Sequence, residues 1–224
     1  MKCNLDKIKD FFPIRAEKVK NALVVFFIVG LAGFALPASR NLFIHLTPVA
    51  ILLSSAVLAV FHRPVSGQRQ YVVFMIVFIA GFFIEVAGVK TGFIFGNYAY
   101  GRGLGIKLFE TPVLIGINWL FLIYSTNAMT DHLPFPVFLR IFASSLLMVA
   151  YDAVLEQAAP RLDMWSFEGP EAPFRNYLAW FAIAFALHSF VKFSGINYKN
   201  SFAAFVFTLQ LVFFILLTIT FNIN

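Results

Sequence analysis

Long apolar runs separated by short polar breaks organise the chain. The runs cover Ala22–Ala38, Leu42–Phe61, Tyr71–Val89, Thr111–Ala128, Val137–Leu155, Tyr177–Phe193 and Phe202–Phe221. Each approaches the ~20 residues, within a range of about 17–25, that a helix needs to cross the hydrocarbon core of a bilayer. The breaks are rich in turn-forming residues: Pro37 to Arg40, Arg63 to Gly67, Asp131 to Pro136, and Ser194 to Asn200. A membrane barrel would alternate apolar and polar residues, and these runs are continuous. The pattern predicts an all-α fold, a polytopic integral membrane helical bundle of about seven transmembrane helices. The first two runs lie so close together that they read as a helical hairpin. Basic residues before the first run and small residues from Ala35 to Ser39 also fit a cleaved secretory signal.

Composition sharpens the membrane reading. Of 224 residues, 60% are hydrophobic and 12% charged, against roughly 25% charged in a soluble domain. Too little polar surface is left to coat a water-soluble globule. Residues 1–21 read as a basic cytoplasmic N-terminal arm and residues 22–224 as a single transmembrane domain. Most of the 30 Phe suit lipid-facing positions, with a few left to line a pocket. The single cysteine, Cys3, excludes an internal disulfide and a multi-thiolate metal site.

The net charge of +6 does not imply a nucleic-acid partner. Six of the 17 Lys and Arg (Lys2, Lys7, Lys9, Arg15, Lys18, Lys20) precede the first run, where membrane topology explains them. With the N-terminus inside, 11 Lys and Arg fall on the inner side and 6 on the outer. The expected orientation is N-in and C-out, in the cell (plasma or inner) membrane. The two longest connections, Lys90 to Glu110 and Glu156 to Asn176, then share the outer side.

Two acids stand where acids are costly. Glu85 lies in the third run and Asp152 in the fifth, and a mid-helix carboxylate costs roughly 2.5–3.5 kcal/mol on insertion scales. Each sits about one turn from the outer end of its run, so the two should share a depth beneath the outer connections. Glu156 follows Asp152 by one turn on the same face, and Asp163 and Trp165 follow in the connection. These acids could tie helices together through Tyr, Asn or Arg partners, with Glu156 and Asp163 simply hydrated. They also fit a paired-carboxylate site, in which a desolvated acid keeps its proton near neutral pH. Asn118 and Trp119, two turns into the fourth run, could face the same pocket or serve packing.

Other motifs carry less. His45, His62, His132 and His188 lack the spacing of a metal or haem site. His188 and Lys192 form an i,i+4 pair near the inner end of the sixth run, which suits a helix-end anchor. Gly101-Arg102-Gly103-Leu104-Gly105 follows no predicted strand, which argues against a nucleotide loop.

Two stretches resemble a known family. The first is Glu85-Val-Ala-Gly88-Val-Lys-Thr91-Gly92-Phe-Ile-Phe-Gly96-Asn-Tyr98-Ala-Tyr100, followed by Leu104-Gly105 and Pro112. The second is Asp152-Ala-Val-Leu155-Glu156, then Ala159, Asp163-Met-Trp165, Pro173, Asn176-Tyr177 and Trp180. Together they resemble the membrane carotenoid-biosynthesis proteins, which include carotenoid 1,2-hydratases acting on γ-carotene, lycopene and bisanhydrobacterioruberin. Gln157 stands where this family suggests proline, and Phe167 where a second tryptophan is common.

The resemblance implies addition of water to the terminal double bond of an acyclic (psi) carotenoid end, giving a tertiary alcohol without any cofactor. On that expectation Asp152 donates the proton. Glu85 activates water or tunes the donor, and Asp163 is the third candidate for either role. Trp165, Tyr98 and Trp119 would stabilise the cation or position the end group, with Asn118 and Glu156 as further substrate contacts. The expected partners are the bilayer and a long apolar carotenoid, with the site near the outer face. Three other readings remain: a carotenoid cyclase using the same protonation, a proton-coupled small-molecule transporter, and a purely structural subunit.

Overall fold

The computed structural model describes residues 16–223. Of the predicted arm, residues 1–15 lie outside the described residues. Seven α-helices account for the seven apolar runs: α1 (Ala16–Ala35), α2 (Pro37–Val60), α3 (Arg69–Thr91), α4 (Leu114–Thr130), α5 (Val137–Ala158), α6 (Phe174–Phe193) and α7 (Ala203–Ile223). The first helix begins inside the predicted arm, taking up Lys18 and Lys20. Five helices are long and apolar enough to cross a membrane: α1, α2, α3, α5 and α7. The fourth has only 17 residues, and the sixth carries Arg175, Asn176, His188 and Lys192.

The short α4 is the hub of the bundle. It packs against α2, α3, α5, α6 and α7, and it is buried around its circumference, from Leu114 and Trp119 to Leu122 and Thr126. Its short length is therefore no handicap, because protein surrounds most of it. Close approach of α3 to α4 depends on Gly81: a Cβ there would lie 2.5 Å from the Cβ of Trp119. Small residues allow such backbone approach where helices pack in lipid.

The hairpin of α1 and α2 has a local cause. Pro37 occupies the first turn of α2, where its missing N–H costs nothing. Ser39 Oγ donates to the carbonyl of Gly33 at 2.8 Å and Arg40 Nε to that of Phe34 at 3.1 Å. These bonds satisfy carbonyls left open at the end of α1.

The all-helical expectation needs one correction. The connections hold three short antiparallel ribbons: β1 (Arg63–Pro64) with β6 (Tyr198–Lys199), β2 (Tyr98–Tyr100) with β5 (Trp165–Phe167), and β3 (Lys107–Leu108) with β4 (Thr111–Pro112). Thr111 and Pro112, read as the start of the fourth span, thus belong to a strand. The β2–β5 ribbon joins the two long connections at one end of the bundle, and β1–β6 ties two loops at the far end.

Candidate active site

The β2–β5 ribbon closes one end of the bundle and aims four aromatic rings inward. Successive strand side chains point to opposite faces. Tyr98 and Tyr100 on β2, and Trp165 and Phe167 on β5, therefore face the helices, while Ala99 and Ser166 are exposed. Tyr98 pairs with Phe167 and Tyr100 with Trp165 across the ribbon. Room for these rings comes from Gly88, one turn beyond Glu85: a Cβ there would lie 2.4 Å from the Phe95 ring and 3.1 Å from Tyr98 Oη.

Glu85 is 3% exposed and accepts from three neutral donors. Tyr98 Oη donates to Oε2 at 2.6 Å, Tyr100 Oη to the same oxygen at 2.7 Å, and Trp119 Nε1 to Oε1 at 2.9 Å. Trp119 is in turn stacked on Trp180 of α6, with ring centroids 4.3 Å apart. Burial, and then the neighbouring Glu85, hold the hydroxyls of Tyr98 and Tyr100 far above the usual phenol range. Both remain donors.

Asp152 faces Glu85 from α5 and is 1% exposed. Its Oδ2 accepts from Asn176 Nδ2 at 3.0 Å, whereas its Oδ1 is buried with no partner. Glu156, one turn on, accepts from the same Asn176 nitrogen at 3.3 Å and from Trp165 Nε1 at 3.0 Å. Among the described residues no Lys, Arg or His forms an ion pair with any of these three acids.

The three acids line one small cavity together with Tyr98, Tyr100, Trp165, Asn176 and Trp180; Phe95, Ile115 and Phe167 complete its wall. It holds about 20 Å³ open to the centre of a water-sized sphere. A single water needs roughly 10–15 Å³ by that measure, so there is room for about one.

Five of the eight residues singled out from sequence line this cavity: Glu85, Asp152, Glu156, Tyr98 and Trp165. Trp119 reaches it through its bond to Glu85. Asn118 is buried on α4 but is not part of the wall. Asp163 lies elsewhere: it is exposed, accepts from the Arg102 backbone N–H at 3.1 Å and pairs with the Arg102 guanidinium at 3.8 Å. Its position explains a clasp on the connection after β2 and gives it no access to the cavity. Sequence reasoning did not assign Tyr100, Asn176 or Trp180 a place in the site. Tyr100 shares the inward face of β2 with Tyr98, a two-residue period that the sequence displays once the strand is recognised. His188 is bonded to Thr126, and Lys192 pairs with Asp131.

Comparison with known proteins follows the same lines. Residues 46–223 match the family model described as carotenoid biosynthesis protein. A bisanhydrobacterioruberin hydratase from Haloarcula japonica is 23% identical over 130 residues, covering 52% of this chain and 43% of that protein. The chain thus spans less than half the length of this relative. No solved structure matches the chain.

Proposed function

The chain belongs to the carotenoid biosynthesis protein family, and from that premise we propose that it is a cofactor-independent hydratase of an acyclic carotenoid end. It adds water to the terminal trisubstituted double bond and yields a tertiary alcohol. The observation that carries this reading is two buried carboxyl groups and a half-buried third around a one-water cavity, supplied with neutral donors and, among the described residues, with no ion-pair partner.

The hydrogen-bond inventory suggests a division of labour. Three donors converge on Glu85, a set that suits an ionised carboxylate, which only accepts. Asp152 and Glu156 share one Asn176 nitrogen, and Oδ1 of Asp152 is free. This pair suits a single proton held between two like-charged groups. We assign Asp152 as the donor. Its proton adds to the less substituted alkene carbon and leaves a tertiary cation on the neighbour. Glu85 then serves as a fixed counter-charge, and the aromatic faces add roughly 0.5–2 kcal/mol each. As the water oxygen bonds to the cation, its proton passes to the Asp152–Glu156 pair, which restores the acid. On this reading Glu85 stabilises charge, rather than activating water or tuning the donor.

The cavity is too small for an isoprenoid end, so the end must part side chains to enter. Glu85 on α3 and Asn176 and Trp180 on α6 flank the cavity, yet these two helices do not pack closely on one another. Their seam is the proposed lateral entrance from the bilayer. Seven membrane spans with the N-terminus inside would put the site near the outer face.

Expression in bacterial cells that accumulate acyclic carotenoids tests this function. The expected result is a pigment heavier by one water. An unchanged profile across a panel of acyclic carotenoids would overturn the reading, and a new cyclic pigment of unchanged mass would replace it with a cyclase.

A further inference from the structure

Tyr98 and Phe167 each belong to two cavities. On one side they close the acid cavity. On the other they line a separate space of about 480 Å³, shared with Lys90, Thr91, Asn97, Ser166 and Glu168 among others. Those five side chains are polar and exposed, so this space is an open vestibule with a polar wall. We propose that Tyr98 and Phe167 form the door through which the reacting water passes from the vestibule to the acids, an inference that rests on the hydratase reading.

The burial pattern locates the door. Of the six aromatic residues around the acid cavity, Phe95, Tyr100, Trp165 and Trp180 are buried, whereas Tyr98 and Phe167 are half-buried. The two rings lie 5.4 Å apart and are directly opposite in the ribbon. Tyr98 is fixed at its hydroxyl by Glu85. The Phe167 side chain has no polar atom, so packing alone holds it, and it is the leaf that moves. The frame around it is tied: Glu168 N–H donates to the Asn97 carbonyl at 3.0 Å, and Asn97 Nδ2 donates to Glu168 Oε2 at 2.9 Å. The ring can therefore turn while the ribbon stays in place.

A door of this kind controls how the cation is resolved. After protonation forms the new C–H bond, the cation has two exits. Water can bond to it, losing a proton to the Asp152–Glu156 pair and giving the alcohol. Alternatively, the carbon just protonated can lose its original hydrogen as a proton to that pair and regenerate the alkene. In D2O the second route leaves deuterium in recovered substrate. The ratio of deuterated alkene to alcohol thus reads water supply, separately from the overall rate.

The test combines that ratio with hydroxyl-radical labelling of the full-length protein in lipid nanodiscs without substrate. Phe167→Ala should raise labelling of Trp165 and Trp180 by about threefold and lower the ratio, and Phe167→Trp should do the reverse, as expected when active-site water is limiting. Phe167→Leu, a milder change, should fall between wild type and Ala and guards against misfolding. Unchanged Trp labelling across the three variants would overturn the door even if wild type makes alcohol. Were wild type to give neither alcohol nor deuterated alkene, the hydratase reading would fall, and with it the door's catalytic meaning.

Discussion

The two ends of the bundle treat buried polarity in opposite ways. At the far end, the carboxylate of Asp131 meets two cations, Lys192 and Arg140, the latter at 3.2 Å. Around it lies a neutral network: Asn200 Nδ2 donates to Tyr124 Oη at 3.0 Å, Tyr124 Oη meets His62 Nδ1 at 2.7 Å, and Asn127 donates to Tyr198 at 3.1 Å. Burial keeps His62 below the usual imidazole range. At the ribbon end, three acids gather with no ion-pair partner among the described residues. The far end also has a cavity of about 490 Å³, much larger than the acid cavity and walled by apolar residues such as Leu58, Phe74, Phe78, Leu120 and Phe121. Size therefore does not single out the proposed site. A balanced charge holds a structure together, whereas clustered carboxyls without a counter-ion are costly and need a functional reason.

Substitutions at the two ends should break this comparison if it is wrong. The largest effect is expected for Asp152→Asn, which should lower turnover by about 10²–10⁴-fold, the range for a lost general acid, at unchanged expression. Quantified pigment conversion checks this. Glu85→Gln should cost roughly 10²-fold through lost electrostatic stabilisation. It should also cost about 1–3 kcal/mol in stability, because its amide group presents donors to donors; thermal unfolding in detergent measures that part. Tyr98→Phe removes one of three donors and should reduce turnover about tenfold, while Tyr124→Phe at the far end should leave it unchanged.

The remaining predictions are small and sharpen the contrast. Asp131→Asn should cost about 1 kcal/mol or less, since its ion pairs are partly exposed, and should spare turnover. The displaced hydroxyls of Tyr98 and Tyr100 should stay protonated, so turnover should show no phenol-type decline through about pH 10. A decline abolished by Tyr98→Phe would contradict the burial described for the site.

What the sequence disclosed follows from what each residue costs. Glu85 and Asp152 were visible because an acid inside an apolar run demands an explanation, and their common depth followed from counting turns. The helices were visible for the complementary reason, since nothing else tolerates such runs. Asn176 was less legible: an amide near a helix start is ordinary, and its importance comes from bridging two acids on another helix. The two- and three-residue strands leave too short an alternation to detect. Asp163 misled because an acid in a polar connection beside Trp165 looks like part of the same cluster. Its side chain instead points to the Arg102 turn, at a residue with φ of 52°.

The central claim is that Asp152 supplies a proton and a water from the acid cavity completes the product. Its most direct test gives the purified full-length protein in nanodiscs an acyclic carotenoid in water labelled with deuterium and oxygen-18, followed by mass spectrometry of the pigment. The expected product is an alcohol carrying one oxygen-18 at the tertiary carbon and deuterium on the adjacent carbon, and none from Asp152→Asn. A product without oxygen-18, or equal yield from Asp152→Asn, would contradict it.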